Sequence, residues 1–386
     1  MARSANQLTI SSINQTLIID AIKKHGRITR ADIASILKLS RPSVSANVEK
    51  LLAKGLVMEY ASEKTSTVGR KGAPIGLNSE SAHIIGVDLS GPSLNIGMGN
   101  LYEEILVLEK FGKLEGKKAD EVLATIDEAI CSLLKGQGLG MDQIGAVVIC
   151  TPGIVNVERK IIEFAPQIEE WDTRGVWETL HKRYGDRLIL INDVNAITLG
   201  EKKAGTGQEY SSFVYINLDV GIGGGVIIGN ELVTGVNKAA GEIGYMMTSL
   251  RQFNRSHQNG SLESEISISA IRKRISRERK KESLITIEEI NELILQKDPE
   301  ILAEMDQLVD ALSMCIVNIS SLLDVPAVCL GGKIKDLKTD ICGKVSHKIQ
   351  GMLPYPPKVV CSKLGSDAFL YGALSLGATK ILQERI

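Results

Sequence analysis

Asn217–Tyr245, NLDVGIGGGVIIGNELVTGVNKAAGEIGY, is the stretch on which the reading of this chain turns. Apolar residues on both sides of a glycine run have the form of a β-hairpin with a glycine turn, followed by a loop that carries Glu242. Glycine turns of this kind offer bare backbone N–H groups to phosphate oxygens. Yet an acid, Asp219, and an aliphatic, Val220, stand where such a cradle needs open backbone and a hydroxyl. The segment reads as a loop built for phosphate that would now repel it.

The flanking sequence repeats one theme twice. From His83 onward, short β-rich runs alternate with glycine turns: His83–Leu89 with Asp88 near its end, then 94–99 and 104–108 as antiparallel neighbours. A helix near 119–135 precedes the strand 144–149, and Thr151-Pro152-Gly153 forms a turn whose N–H groups can approach a ligand. The strand 188–191 delivers Asn192-Asp193-Val194-Asn195 to its C-terminal end, where α/β folds place ligands. The second half gives a strand at 212–218, the glycine turn, and a strand at 225–228. Helices follow near 263–281, 286–296 and 300–323, then the strand 328–330 with Gly331-Gly332, and a last helix over 367–382.

The first 80 residues differ in kind. They hold 12 Lys and Arg against 6 Asp and Glu, whereas the remainder holds 33 against 40, out of totals of 45 and 46. A basic head on an acidic body suits contact with a polyanion. Ile13, Leu17, Ile18, Ala21 and Ile22 recur at helical spacing before Gly26, so they predict a first helix over 12–25 with one buried face. Thr29 opens a second helix, and Ser40 with Pro42 opens a third, in which Val44, Val48, Leu51 and Leu52 face inward. Ser43, Ala46, Asn47 and Lys50 are then expected on the outer face. Two short helices joined by a tight turn make a helix-turn-helix, and strands at 56–60 and 74–77 would add a wing. Arg70 and Lys71, between glycines in VGRKGAP, suit a narrow minor groove; a flexible basic linker is the alternative. For the whole head the alternative is a helical protein-docking module.

Length and composition set the outer bounds. At 386 residues two or three domains are expected, and 44% hydrophobic with 24% charged residues is globular. No apolar run approaches bilayer length, and the N-terminal MARSANQLTISSINQ lacks signal-peptide layout, so a cytoplasmic protein without membrane contact is expected. Cys131, Cys150, Cys315, Cys329, Cys342 and Cys361 are scattered without a CxxC pair and read as small buried residues, not zinc ligands.

The head, followed by GVDLSG, TPGIV, NDVNAITLGE, DVGIGGGVIIGNEL, AGEIGY, SLE, CLGGKI and LGSDAFLYGA in that order, resembles the ROK family of repressors, open reading frames and kinases. The resemblance covers nearly the whole chain, and it is strongest to the branch of xylose and N-acetylglucosamine repressors. It implies a mainly α winged helix-turn-helix followed by an α/β actin-like, hexokinase-like ATPase fold of two lobes with a sugar cleft between them. The domains expected are 1–80 (head), 81–190 (small lobe, on which the helix 367–384 packs) and 191–386 (large lobe with cleft and dimerisation surface).

Carried over residue by residue, the resemblance divides. The first phosphate loop of the family's kinases, D-x-G-G-T, is here Asp88-Leu89-Ser90-Gly91-Pro92, which lacks a glycine and the threonine and gains a proline without an N–H. The second, G-T-G-x-G-G-G, is here Asp219 to Gly225. A carboxylate about 4–6 Å from a triphosphate costs on the order of a kcal/mol or more, so ATP is not expected to bind. The sugar side matches better: Asn192 and Asp193 fit the ND pair whose Asp is the kinases' general base, Glu242 fits the glutamate of GEIGH, and Glu263 that of C-L-E. With Gly153 and Tyr245 these are the expected ligand residues, Asp193 being a vestigial base; the alternative is that they only cap helices or hold the hinge. The family's GEIGH histidine is Tyr245 here, its three-cysteine cluster is missing from 246–262, and His257 alone cannot hold a metal, so neither zinc nor another cofactor is expected.

The sequence thus predicts a sugar- or cyclitol-responsive DNA-binding regulator, a repressor of carbohydrate-utilisation genes with a catalytically degraded effector body. Arg41, Ser43, Asn47, Lys50, Arg70 and Lys71 are its expected DNA contacts. Palindromic double-stranded operators require two heads, hence a homodimer or dimer of dimers. An active sugar kinase carrying a DNA-binding head is the alternative, and control by a protein partner a third. The basic run Arg272-Lys273-Arg274 to Lys281 reads as a solvated helix face in preference to a second DNA patch, while Trp171 and Trp177 fit either core or cleft wall.

Overall fold

The computed structural model describes residues 2–61, 72–248 and 260–386. The head runs α1 (Ala2–His25), β1 (Ile28–Thr29), α2 (Arg30–Leu37), α3 (Arg41–Ala53), β2 (Val57–Glu59) and β3 (Pro74–Leu77). Thr29 and Asp32 cap α2 reciprocally, each side chain accepting from the other's backbone N–H, and left-handed Lys38 ends it. Ser40 caps α3, with proline in the first turn. The wing has three strands in the order β1-β3-β2, because the two-residue β1 pairs with β3. The first helix is longer than its apolar spacing indicated, and its buried stripe is Gln15, Ile18, Ile19 and Ile22; Ile13 and Leu17, expected inside, are exposed.

The body contains two sheets of the same design. In the first, β4 (His83–Asp88), β5 (Ser93–Gly99) and β6 (Ile105–Lys113) form an antiparallel meander. On the other side of β4, β7 (Ile144–Thr151) and β10 (Leu188–Asn192) add in parallel. Between them in sequence lie α4 (Ala119–Gln137), the small hairpin β8 (Ile154–Asn156) and β9 (Ile161–Glu163), and α5 (Arg174–Tyr184). The second sheet repeats the order: β11 (Phe213–Leu218), β12 (Ile222–Ile228) and β13 (Glu231–Val233) as the meander, β14 (Ala327–Gly332) and β15 (Lys358–Cys361) in parallel. Sheet orders β6-β5-β4-β7-β10 and β13-β12-β11-β14-β15 correspond strand for strand in order and direction.

Helices fill both faces of each sheet. The first packs α4 and α5 on one face, where Trp171 and Trp177 are both buried and Trp171 Nε1 donates to Thr151 Oγ1 at 2.7 Å. The second is backed by α7 (Ser261–Ile266), α8 (Ile268–Glu278), α9 (Ile287–Leu295), α10 (Pro299–Leu323) and α11 (Ile341–Lys348). The expected helix over 263–281 is broken at Ser267, which leaves the helical region and caps α8. By length and hydropathy α10 could span a bilayer, which a search for unbroken apolar runs passes over. Its Ile301, Met305, Leu308 and Leu312 lie wholly inside the core.

Between the sheets lie α6 (Asp193–Ala204) and α12 (Ala368–Arg385). Gly200 and Gly372 let their backbones touch: a Cβ on either would stand 1.9 Å from a carbonyl of the opposite helix. The other face of α12 packs on β4 and β7, and one continuous apolar cluster runs from Ile18, Ile22 and Leu51 of the head to Ile84, Phe369 and Ile381. The reading of all cysteines as lone thiols is corrected: Cys342 and Cys361 form a disulfide that joins α11 to β15, 19 residues apart. Cys131 is exposed, and only Cys150, Cys315 and Cys329 are buried free thiols. Wide sequence spacing hid a pair that the sheet brings to a Cα separation of 6.1 Å.

Candidate functional site

β10 ends and α6 begins at a narrow cleft between the two halves of the body. Gly153, Asn192, Asn195, Lys238 and Glu242 line it, with Gly223 and Gly224 of β12. Asn192 caps α6 by accepting from Asn195 N–H at 3.0 Å, and its amide donates to Gly153 O at 3.0 Å. Both polar ends of Asn192 therefore serve the protein, and it shapes the cleft by tying α6 to the Gly153 turn. Gly153 has φ +90, and a Cβ there would meet Glu163 O at 2.7 Å, so only glycine fits.

Carboxylates gather around this point. Asp193, at the first position of α6, accepts from Val194 N–H at 2.8 Å. Burial, reinforced by the charges of Asp88 and Glu242, raises its carboxyl to about 7. Burial likewise raises Asp88, partly offset by hydrogen bonds from Asn95 and the Ser90 N–H. Glu242 is raised by the enclosing protein and by Glu263, although the residue stays open to solvent, and Glu263 is raised by burial. Of the six expected ligand residues, Gly153, Asn192 and Glu242 line the cleft, while Asp193 and Glu263 belong to its acidic surround. Tyr245 is 51% exposed and does not line it.

Two lining residues escaped the sequence reading. Asn195 is 6% exposed, and its Oδ1 has no hydrogen-bond partner within the protein. It stands in the same NDVN run as Asn192 and Asp193, which was the available signal. Lys238 pairs with Glu158 beyond the β8 strand at 3.2 Å, linking the loop after β13 to the first sheet's side of the cleft. Nothing local in the sequence announces that contact across 80 residues.

The glycine run works differently from the reading given to it. The turn is Asp219-Val220-Gly221, and Gly223 to Gly225 already belong to β12. A Cβ at Gly223 would meet Val194 at 2.8 Å, and one at Gly225 would meet Thr198 Oγ1 at 1.9 Å. Their bareness lets α6 lie against the strand. At the turn itself, Asp219 Oδ1 accepts from Val220 N–H at 2.8 Å and Glu263 Oε2 accepts from Ile222 N–H at 2.8 Å. The Asp88 carboxylate does the same for Ser90 N–H in the first loop at 3.0 Å. Three backbone donors at the two turns, the N–H groups of Ser90, Val220 and Ile222, are thus taken by the chain's own carboxylates. Asp219 is also neutralised in part by Lys333, 3.2 Å away, so its repulsion is weaker than the sequence alone suggests.

In the head, Arg41 and Lys50 are exposed on α3 and Ser43 is half-buried. Asn47 is corrected: it is 6% exposed, accepting from Ser11 and donating to Ser43 O, both at 2.9 Å. Positions 44, 47, 48 and 51 form one helical stripe, so Asn47 shares the core face. Lys50 also donates to Ser11 Oγ, at 2.8 Å. Arg70, Lys71 and His257 lie outside the described residues. The basic run on α8 is partly committed inside the protein, with Arg274 paired to Glu304 and Arg279 to Asp298. Among the described residues no group of three His, Cys, Asp or Glu could hold a metal ion.

A MarR family model matches residues 8–66, over the winged head. Along the whole chain, the Xylose repressor of Bacillus subtilis is 25% identical over 380 residues, covering 96% of each protein. The Glucokinase of Thermotoga maritima is 28% identical over 321 residues, covering 78% of this chain and 98% of the enzyme. Among solved structures, a ROK family transcriptional regulator described as a homolog of E. coli MLC covers 97% of this chain and 98% of its own, with TM-score 0.81 and 23% identity. A ROK family glucokinase from Streptomyces griseus, in complex with glucose and AMPPNP, covers 76% of this chain and 99% of its own, with TM-score 0.61 and 26% identity. The fold is therefore a winged helix-turn-helix joined to the two-lobed actin-like, hexokinase-like body. The ROK family model spans residues 84–380, and the chain belongs to the ROK family.

Proposed function

We propose that this chain is a sugar- or cyclitol-responsive transcriptional repressor whose kinase-derived body binds effector without transferring phosphate. The observation that carries the reading is the pairing of a winged head with phosphate turns in which Asp88, Asp219 and Glu263 accept from the Ser90, Val220 and Ile222 N–H groups. A triphosphate entering there must displace carboxylates from their own hydrogen bonds, and it meets their charge as it does so. The match to repressor relatives along 96% of the chain supports the same reading, since the glucokinase match stops at 78%.

The cleft supplies what a polyol needs. Glu242 offers acceptors, Lys238 donors, and the buried amide of Asn195 an unmet acceptor, while Asp193 near neutrality can donate or accept. On this reading Arg41, Ser43 and Lys50 of α3 meet the groove, and Arg70 and Lys71 add basic charge to the sequence between β2 and β3. Operators with two half-sites require paired heads, and the exposed Ile13 and Leu17 on α1 offer an apolar face for pairing. Neither zinc nor nucleotide is needed by this scheme.

A second reading, a sugar kinase with a DNA-binding head, is favoured by one observation. A carboxyl with its pKa raised to about 7 at the end of a strand suits a general base. Two measurements on the purified full chain decide between them. Selection from random duplex DNA should enrich a two-fold-symmetric site, and a coupled phosphotransfer assay with monosaccharides, disaccharides and cyclitols should show no turnover. Turnover on any of these sugars would overturn the claim of lost chemistry.

A further inference from the structure

We propose that Glu103 is a positioning residue that couples the winged head to α6, the helix on which the cleft is built. The turn between β5 and β6 is organised by Asn100, whose Oδ1 accepts from the N–H groups of Tyr102 and Glu104. Glu103 is held there at φ +64, a conformation in which glutamate is uncommon. The strained backbone carries its side chain inward, leaving the residue 6% exposed. One carboxylate oxygen accepts a hydrogen bond from Lys23 of α1 at 2.5 Å. The other forms an ion pair with Lys203, near the end of α6, at 2.6 Å, without the geometry of a directed hydrogen bond.

The same turn holds the wing. Tyr102 next to Glu103 accepts, through its hydroxyl, the backbone N–H of Leu77 in β3 at 2.6 Å. One five-residue turn therefore grips α1, the wing and α6 together. The start of α6 places its cap Asn192 and Asn195 in the cleft wall, with Asp193 beside them, and its last turn carries Lys203. Ten residues of helix separate these ends by about 15 Å of rigid rod. A shift of the rod moves Lys203 against a carboxylate that is nearly cut off from solvent. Glu103 cannot drop either ammonium cheaply, because a buried charge left with poor compensation is costly. The simplest response is for the turn, and with it α1 and β3, to follow the helix.

An ordinary ion pair that merely stabilises the turn would act locally. A relay predicts action at a distance, since Lys203 pairs with Glu103 and Glu103 in turn holds Lys23 of α1. The inference rests on reading the head as DNA-binding and the cleft as the effector site.

Hydrogen–deuterium exchange on the full chain tests it, comparing wild type with Lys203→Met, Glu103→Gln and the double variant. We expect Lys203→Met to raise exchange about threefold or more in residues 19–25 of α1 and in β3, with β11 and β14 unchanged. Glu103→Gln should do the same, and adding Lys203→Met to it should change α1 no further. If Glu103→Gln fails to fold, Lys203→Met beside Lys23→Met carries the test, because both should loosen the same head segments. Exchange that rises only around the end of α6, or effects of the two substitutions that simply add in α1, would overturn the proposal. Selection from random duplex DNA is scored separately: no enrichment sinks the regulator reading and with it the link to DNA, whatever the exchange result.

Discussion

The carboxylate of Glu263 accepts the backbone N–H of Ile222 at 2.8 Å, and a Cβ on Gly221 would stand 2.6 Å from the same oxygen. The turn that a nucleotide phosphate would enter is therefore filled from within, on one side by Glu263 and on the other by Asp219. Calorimetric titration of wild type with AMPPNP and magnesium is expected to give no heat up to millimolar nucleotide. In the double variant Asp219→Gly, Val220→Thr the affinity should improve by about tenfold or more, because a competing charge is removed and a hydroxyl regained. Equal, tight binding by both proteins would mean that the internal carboxylates yield readily to phosphate.

The contact of Gly225 with Thr198 tests what the glycine run is for. A Cβ at Gly225 would lie 1.9 Å from the Thr198 hydroxyl, so Gly225→Ala should destabilise the fold by about 1–3 kcal/mol in urea unfolding. Combined with Thr198→Ala, which clears the space, the loss should be partly recovered. A Gly225→Ala protein as stable as wild type would contradict the close packing of α6 on β12.

Asp193 should govern how stability varies with pH. Its carboxyl is raised to about 7, so the folded chain keeps a proton that the unfolded chain releases near pH ~4. Folding binds a proton within that window, and stability should fall as pH rises from about 4 to about 7, then level off. Asp193→Asn removes its share of the dependence, leaving that of Asp88, Glu242 and Glu263, and should be more stable than wild type at pH 8 by about 2 kcal/mol, allowing for solvent in the cleft. Near pH 4 the two should converge. Coincident denaturation curves at pH 5 and pH 8 for wild type would contradict a raised carboxyl.

Much of this architecture could be read in advance because it is written in local signals. Ser40 with Pro42, Thr29 with Asp32, and the strand endings at Asp88 and Asn192 all act within a few residues of themselves. What escaped depends on partners far apart in the chain. The disulfide joins Cys342 to Cys361, Lys238 meets Glu158, and Gly223 and Gly225 are bare for the sake of α6. Glycine spacing by itself cannot tell a ligand's approach from a helix's approach, since both need a missing Cβ. Asn47 was misplaced for a subtler reason: a polar residue on a core stripe is hidden unless its partner, here Ser11 on another helix, is known.

That misplacement gives a paired test in the head. Asn47 is buried between α1 and α3, so Asn47→Ala should cost about 1–2 kcal/mol of stability by leaving Ser11 and Ser43 O without their partner. Where the protein stays folded, its affinity for the duplex selected by wild type should change by about twofold at most. Arg41 is exposed at the start of α3, and Arg41→Ala should leave stability unchanged while weakening that duplex about tenfold. If Arg41 meets a phosphate, the slope of log affinity against log salt should also drop by about one. Fluorescence anisotropy over a salt series, beside a urea melt of each variant, separates the two residues. A loss of DNA affinity in Asn47→Ala without loss of stability would return Asn47 to the groove, turned outward from the position it holds against Ser11.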